Sequence, residues 1–292
     1  MAVTEQLIRQ VERLRFLPSR ALGARHPGER PSRHRGHGLE FVDYRPYGEG
    51  DELRYVDWNL AARLDRMYVK LFAAEESLRI VLLVDTSPSM ALGRPAKLAL
   101  ARDLATLLGY LALFEGDRLY LGTLGGVRPG LLPVLSGRAA IPSLLAATGR
   151  LRVAPPSGLP LLEGLDVLLP SLPRRALVVV LSDLFADAPP EEVAGRFLRG
   201  GHAVVLLQVL APDEVNPETS GALRLEDVEG QDRLEVWSDR RLLDGYRDAM
   251  AAWLVELRRA SLRRGIRHHV VSSDRTLDEV LFHTLLPAGV VG

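Results

Sequence analysis

The fold is decided by the stretch Ile80-Val-Leu-Leu-Val84, which is followed at once by Asp85-Thr86-Ser87-Pro88-Ser89. Five consecutive apolar residues are typical of a parallel strand that is covered on both faces. In open α/β sheets, ligands bind in the crevice beyond the carboxyl ends of such strands. We therefore expect Asp85, Ser87 and Ser89 to offer one carboxylate and two hydroxyls there, which are ligands that suit Mg²⁺. The same Ser-Pro-Ser turn could instead only cap the next helix.

From Ser77 onward, apolar runs alternate with amphipathic stretches, which predicts an α/β fold with a mostly parallel sheet and helices on both faces. The predicted strands are Ile80–Val84, Arg118–Leu124, Ala176–Ser182, Ala203–Leu210 and Arg267–Ser272, with Leu131–Leu135 as a short antiparallel edge strand. The predicted helices are Thr4–Arg15, Lys97–Phe114, Arg138–Thr148, Leu161–Leu169, Pro189–Arg199 and Asp239–Arg264. On the last helix, one apolar stripe predicts core packing, and it consists of Leu242, Tyr246, Met250, Trp253 and Leu257.

Two domains are predicted, with a boundary between residues 75 and 76. Residues 1–75 form a small β-containing N-terminal extension, and residues 76–292 form the α/β domain with a hairpin insertion at about 211–237. The N-terminal helix could stay with this domain or pack on another chain. Residues 22–37 are rich in Arg, His, Gly and Pro and lack periodicity, which indicates a loop. Its histidines, His26, His34 and His37, could bind a metal, or the loop could contact phosphate or only solvent.

The extension also contains an unusual density of charges around aromatic residues, Arg45-Pro-Tyr47-Gly-Glu-Gly50-Asp51-Glu-Leu-Arg54-Tyr-Val-Asp57-Trp58, followed by Arg63. One interpretation is a structural network, because partly buried charges need partners. In that network Asp51 and Asp57 form ion pairs with Arg54 and Arg63, and the Trp58 side chain packs against its neighbours. The other interpretation is a docking surface for a protein partner, formed by Arg54, Asp57, Trp58 and Arg63.

Composition narrows the classes of function. The chain has 37 basic and 37 acidic residues and no net charge, so overall charge predicts no nucleic acid partner. It has no Cys, which excludes disulfides, thiol catalysis and thiolate metal sites. No stretch approaches the roughly 20 apolar residues of a membrane span, and residues 1–15 lack the apolar core of a signal peptide. We therefore expect a cytoplasmic protein.

Several motifs in order resemble one bacterial family. They are the Arg/Asp/Trp segment, the Asp-x-Ser-x-Ser turn with downstream Lys97, Ser182-Asp183 after a strand, and the acidic segment Leu225-Glu-Asp-Val-Glu229-Gly230. From about Gly38 almost to the C-terminus, the chain resembles domain-of-unknown-function family fifty-eight, whose members contain a von Willebrand factor A-like (Rossmann-like) domain. Many relatives carry N-terminal membrane helices, and this chain resembles the type without them.

The resemblance implies a metal-ion-dependent adhesion site for Mg²⁺. Ser87 and Ser89 would bind the metal directly, Asp85 would act directly or through water, and Asp183 would hold a metal-bound water. Where the family commonly has a Thr ligand, this chain has Leu159, which cannot coordinate magnesium. Ser157 could substitute for that Thr, water could fill the position, or the site could have decayed.

The resemblance also implies a function in recognition rather than catalysis. The metal would accept a carboxylate from a partner protein, which would be a MoxR-type AAA+ ATPase, and the pair would act in the assembly or maturation of other proteins. Two alternatives stay open. One is a metal-independent structural scaffold, favoured by Leu159. The other is a magnesium-dependent phosphatase-like enzyme with Asp85 as nucleophile, although Ser87 stands where such enzymes have a second Asp.

Overall fold

The protein is described by a computed structural model that covers residues 5–17, 41–72, 77–125, 129–156, 158–198, 201–228 and 232–292. In chain order the elements are α1 (Glu5–Val11), β1 (Phe41–Pro46), α2 (Trp58–Leu64), β2 (Tyr68–Phe72), β3 (Arg79–Asp85), α3 (Lys97–Phe114), β4 (Arg118–Leu124), β5 (Gly130–Leu131), β6 (Leu135–Ser136), α4 (Ile141–Gly149), α5 (Leu161–Leu168), β7 (Leu177–Ser182), α6 (Pro190–Phe197), β8 (Ala203–Leu210), α7 (Pro212–Val215), β9 (Gly221–Glu226), β10 (Arg233–Ser238), α8 (Arg240–Arg263), β11 (Arg267–Ser272) and α9 (Leu277–Val280).

In the described part of the chain the central sheet has seven strands, and five of them are parallel in the order β11-β8-β7-β3-β4. β3 therefore lies between β7 and β4, with Val84 opposite Leu181 on one side and Thr123 on the other. The short strands β5 and β6 both pair antiparallel with β4. The predicted mostly parallel α/β sheet is confirmed, and so are the five predicted parallel strands.

Helices cover both faces of this sheet, as predicted. Ile80, Leu82 and Val84 belong to one buried cluster that includes α3 and α4, whereas Val81 and Leu83 belong to a second cluster that includes α5, α6 and part of α8. Alternate side chains of a strand point to opposite faces, so an unbroken apolar run is what a strand between two helical layers requires. No helix in the described ranges has the length and apolarity that crossing a bilayer requires.

The N-terminal helix α1 belongs to the same compact unit as the sheet, which comprises residues 1–23 and 78–292. Leu7, Val11 and Phe16 are buried in the cluster that contains α3. Phe16 also pairs with Val291 in an isolated antiparallel bridge. The predicted division at residue 75 placed this helix with the extension, but burial of its apolar side chains groups it with the α/β domain.

Two predicted elements need correction. The single edge strand Leu131–Leu135 is two short strands, because Pro133 lies between them and has no N–H to donate to a sheet. The stripe on α8 is only partly core: Met250 and Leu257 are buried, but Leu242 and Tyr246 are 47% and 42% exposed. Periodicity locates an apolar face but does not show that anything covers its whole length.

Residues 24–77 form a second compact unit. Its strands β1 and β2 pair antiparallel, and Val56 adds a bridge to Val69. The predicted ion pairs in this unit are wrong. Asp51 accepts two hydrogen bonds from the guanidinium of Arg45, at 2.8 and 2.6 Å, instead of pairing with Arg54 or Arg63.

Asp57 caps the first turn of α2, where its Oδ1 accepts hydrogen bonds from the backbone N–H groups of Asn59 and Leu60. Its Oδ2 accepts a hydrogen bond from the Tyr44 hydroxyl at 2.9 Å and lies 3.0 Å from Lys70 Nζ. These partners occupy both oxygens, which is why Asp57 does not pair with an arginine. The hydrogen bond from Lys70, together with those from Leu60 and Tyr44, lowers the pKa of Asp57 to about 2.

The hairpin insertion is confirmed. β9 and β10 pair antiparallel from Gly221 opposite Ser238 to Glu226 opposite Arg233. Residues 229–231, which include the end of the predicted acidic segment, lie outside the described residues, as do the loop 22–37 and the three histidines predicted in it.

Candidate metal centre

Asp85 is the last residue of β3, and its carboxyl group lies at the carboxyl edge of the sheet. The residue is 1% exposed. Its Oδ1 accepts a hydrogen bond from the backbone N–H of Ser87 at 2.9 Å, and its Oδ2 accepts one from the hydroxyl of Ser182 at 2.5 Å. Ser182 ends the neighbouring strand β7, so two adjacent strand ends hold this carboxyl group in place.

The two serines that follow Asp85 converge. Ser87 Oγ and Ser89 Oγ are 3.0 Å apart and both residues are buried. Thr86, between Asp85 and Ser87, turns away from the serines, because its hydroxyl donates to the backbone oxygen of Leu124 at the end of β4. Ser87 is the N-cap residue of a short 3-10 helix, Pro88–Ala91, but its side chain makes no capping hydrogen bond there, and α3 begins eight residues after Ser89, at Lys97.

Gly125, directly after β4, packs against this turn. Its φ is +74°, and a Cβ placed on it would lie 2.9 Å from Ser87 N and 3.2 Å from Asp85 Oδ1. Real Cβ atoms essentially never make a contact of 2.9 Å, so the backbone that follows β4 approaches the Ser87 backbone as closely as only glycine allows. Sequence analysis missed Gly125. The signal was a glycine immediately after a predicted strand.

Asp183 follows β7 and is also buried, but its carboxylate has a cationic partner. Oδ2 accepts a hydrogen bond from Lys97 Nζ at 2.7 Å, and Oδ1 accepts one from the backbone N–H of Phe185 at 3.2 Å. The side-chain amide of Gln208 donates to the Asp183 backbone oxygen at 2.8 Å. Lys97 also donates to Glu214 in α7. Sequence analysis named Lys97 only as a motif residue and did not single out Glu214.

The two carboxyl groups differ in their electrostatics. Burial, together with the negative charge of Asp183, raises the pKa of Asp85 to about 7, although hydrogen bonds from Ser182 and Ser87 act in the opposite direction. Among the residues that the structure describes, no Lys, Arg or His forms an ion pair with Asp85. Asp85 is therefore a buried acid without a cationic partner, which a bound cation would stabilise as the carboxylate.

The donor set fits magnesium. Adjacent oxygens around an octahedral Mg²⁺ with bonds of about 2.1 Å are roughly 3 Å apart, and the two serine hydroxyls have that separation. One carboxylate and two hydroxyls leave positions for water or another ligand. Over the described ranges, no group of three or more His, Asp and Glu side chains has an arrangement that could hold a metal. A site at Asp85 would therefore depend on hydroxyl ligands.

The position of the missing Thr is only partly described. Ser157 lies outside the described residues, so its substitution for the Thr stays a prediction. Leu159 is half-buried and precedes α5. The preceding loop reaches the turn, because the backbone N–H of Ala154 donates to the Thr86 oxygen at 2.7 Å. Nothing in the Leu159 side chain can bind a metal.

The predicted docking residues lie in the unit 24–77. Trp58 is 59% exposed, so the prediction that it packs is wrong. Arg54 forms an ion pair with Glu52 at 2.5 Å and lies over the ring of Tyr55, whereas Arg63 is exposed in the last turn of α2. Only Asp57 of the four is buried. A docking role for these residues stays a prediction.

One family model and several known proteins have sequences similar to this chain. The model of the family described as "Protein of unknown function DUF58" matches residues 43–274. The uncharacterized proteins Rv1480 of Mycobacterium tuberculosis and Mb1516 of Mycobacterium bovis are each 29% identical over 240 residues, which is 80% of this chain and 72% of theirs.

Two solved structures are similar. The conserved hypothetical protein BatB from Bacteroides thetaiotaomicron has a TM-score of 0.41 and 14% identity, over 73% of this chain and 98% of that one. The SpRpn10 VWA domain has a TM-score of 0.38 and 11% identity, over 69% and 92%. Since the family model spans most of the chain, from the Arg/Asp/Trp segment to beyond β11, this protein belongs to the DUF58 family.

Proposed function

We propose that this chain is a non-catalytic protein-interaction module that docks onto a carboxylate of a partner protein through Mg²⁺ held by Asp85, Ser87 and Ser89. The observation that carries the proposal is the arrangement of these side chains: two hydroxyls 3.0 Å apart beside a buried carboxyl group that has no cationic partner among the described residues. Bound there, magnesium would supply an open coordination position for an oxygen ligand.

The surrounding residues would orient the site. Ser182 and the Ser87 backbone hold the Asp85 carboxyl group, and Thr86 fastens the turn to β4. Asp183 would hold a metal-bound water through the carboxylate that Lys97 positions. For the partner we propose a MoxR-type AAA+ ATPase, and for the pair a role in assembly or maturation of other proteins. Both rest on the family resemblance.

The test of the metal site is calorimetric titration with Mg²⁺ of the wild type and of the double variant Ser87→Ala/Ser89→Ala. We expect binding by the wild type and none by the variant. Ser136→Ala is the matched control, because Ser136 pairs with Arg118 at the opposite end of β4 and is exposed. Thermal unfolding of all three proteins checks that they fold. A wild type that binds no Mg²⁺ would contradict the proposal.

The partner is tested by incubating the immobilised chain with a lysate of the source organism, in Mg²⁺ or in chelator, and identifying the retained proteins by mass spectrometry. We expect a MoxR-type ATPase that is retained in Mg²⁺, lost in chelator and lost from the double serine variant. Equal retention in all three conditions would favour the second candidate, a metal-independent scaffold. That candidate is supported by Leu159 and by the ion pair that already neutralises Asp183.

An enzyme that uses Asp85 as nucleophile is less consistent with the geometry. The group is 1% exposed, and hydrogen bonds occupy both of its oxygens. A pKa of about 7 also leaves much of it protonated at neutral pH, whereas a nucleophilic carboxylate must be ionised. Phosphatase activity of the wild type that is lost in Asp85→Asn would overturn the non-catalytic interpretation.

A further inference from the structure

Lys97 is a buried lysine, and its ammonium group is held on several sides. The residue is 0% exposed although it is the first residue of α3. Nζ donates to Asp183 at the end of β7 and to Glu214 in α7, and it lies 5.4 Å from the centre of the Phe185 ring. A buried ammonium is costly unless it is paired and hydrogen-bonded, so this charge is fixed in position by its partners.

Glu214 is equally well held. Its second carboxylate oxygen accepts a hydrogen bond from the backbone N–H of Ala211, which closes a capping arrangement at the start of α7. Its backbone oxygen accepts a hydrogen bond from the Tyr246 hydroxyl at 2.8 Å. Lys97, Asp183 and Glu214 therefore form a rigid charged cluster that joins α3, β7 and the segment leading into the hairpin β9–β10.

This cluster sets the charge beside Asp85. With Asp85 ionised by a bound cation, the three carboxylates of Asp85, Asp183 and Glu214 exceed the single ammonium of Lys97 by two negative charges, which one divalent cation would neutralise. Without Lys97 the same centre would keep a net negative charge even with the cation bound. It would then hold the cation more tightly and repel a partner's carboxylate.

We infer that Lys97 is a specificity-determining residue of this centre: its fixed charge limits the affinity for a divalent cation and keeps the bound cation able to accept a partner's carboxylate. The negative charge of Glu214 opposes the positive charge of Lys97, and the two residues together set the net charge of the centre. The inference rests on the proposed function, because it requires that the centre at Asp85, Ser87 and Ser89 binds Mg²⁺.

The test is calorimetric titration with Mg²⁺ alone of four proteins: the wild type, Lys97→Met, Glu214→Gln and the double variant. A unit charge close to a divalent cation, at an effective dielectric constant of about 20, changes the dissociation constant by at least about tenfold. We expect Lys97→Met to bind Mg²⁺ at least about tenfold more tightly than the wild type. Glu214→Gln, with one negative charge fewer, should bind at least about tenfold more weakly, and the double variant should return to near the wild-type value.

A purely structural role of the cluster predicts a different order, because loss of any member would loosen the centre and weaken Mg²⁺ binding in all three variants. That result, or an unchanged affinity in Glu214→Gln, would overturn the inference. If circular dichroism shows that Lys97→Met alone does not fold, the other two variants still test the inference. Mg²⁺ affinity must fall in Glu214→Gln and recover in the double variant. A wild type that binds no Mg²⁺ would overturn the proposed function itself, whereas a wild type that binds with variants in the wrong order would overturn only the role of Lys97.

Discussion

Gly125→Ala measures how closely β4 packs against the candidate metal centre. The substitution has two effects on stability. A φ of +74° is unfavourable for alanine by about 1–2 kcal/mol. In addition, the new Cβ would lie 2.9 Å from Ser87 N, and relief of such overpacking in a rigid site typically costs about 1–3 kcal/mol. We therefore expect a loss of about 2–5 kcal/mol in the free energy of unfolding.

The matched control is Gly265→Ala. Gly265 has a φ of +69°, and a Cβ on it would meet nothing within 4 Å, so only the backbone effect of about 1–2 kcal/mol applies. Urea unfolding followed by circular dichroism gives both values. For a domain of this size each kcal/mol corresponds to about 2–4 °C in the thermal midpoint, so the thermal difference between the variants is measurable as well.

Mg²⁺ binding by the same two variants also tests the candidate metal centre. In Gly125→Ala, Ser87 must shift to admit the Cβ, so Mg²⁺ binding should weaken, whereas Gly265→Ala should bind as the wild type does. If Gly125→Ala were no more destabilising than Gly265→Ala and bound Mg²⁺ normally, the turn would be able to move freely. The reasoning from a tightly held Asp85 and Ser87 would then be refuted.

Three further outcomes are expected. Leu159→Thr should tighten Mg²⁺ binding severalfold in calorimetry, because it supplies the missing hydroxyl. The control Leu159→Val should leave Mg²⁺ binding unchanged. Equal effects of the two substitutions would contradict a ligand role for that position. Asp85 has a pKa of about 7 in the folded chain against 3.8 for the free group, so its contribution to stability is complete below about pH 4 and is lost as the pH rises through 7. In urea unfolding without Mg²⁺, Asp85→Asn should remove that part of the change of unfolding free energy with pH. If the free energy of the variant changed with pH as steeply as that of the wild type, the raised pKa of Asp85 would be contradicted. Trp58→Ala should change the free energy of unfolding by less than about 0.5 kcal/mol, because the side chain is mostly exposed, while reducing retention of a partner if the predicted docking surface is used.

The strands were the most predictable part of the fold. β4, β8 and β11 have the predicted bounds, and β3 and β7 differ by one or two residues, because buried parallel strands need apolar side chains on both faces. The helix α3 also has its predicted bounds. Prediction was weaker where burial depends on a distant neighbour. Leu242 and Tyr246 continue the apolar stripe of α8 but are exposed, so the pattern alone did not separate covered from uncovered turns.

The sequence predicted correctly that the charges of this segment would form ion pairs, but it did not predict which residues would pair. The dense charges around Trp58 do form ion pairs and caps, yet Asp51 pairs with Arg45 and Asp57 with Lys70. Asp57 directly precedes α2, and its side chain accepts hydrogen bonds from two backbone N–H groups of the first helical turn, those of Asn59 and Leu60. Local helix geometry therefore decided the role of this residue, whereas sequence analysis gave more weight to opposite charges close together in the chain.

The candidate site was predictable to the extent that it follows strand ends. Asp85 is the last residue of β3, and Gly125 and Asp183 directly follow β4 and β7, so parallel strands place these positions at one edge of the sheet. Which strand ends are neighbours depends on the strand order, and β3 between β7 and β4 is not a sequential order. The ion pairs from Lys97 to Asp183 and Glu214 join residues 86 and 117 positions apart, and neither partner lies near Lys97 in the chain. The residue that we infer to set the charge of the site could therefore be identified only once the sheet order had brought α3, β7 and α7 together.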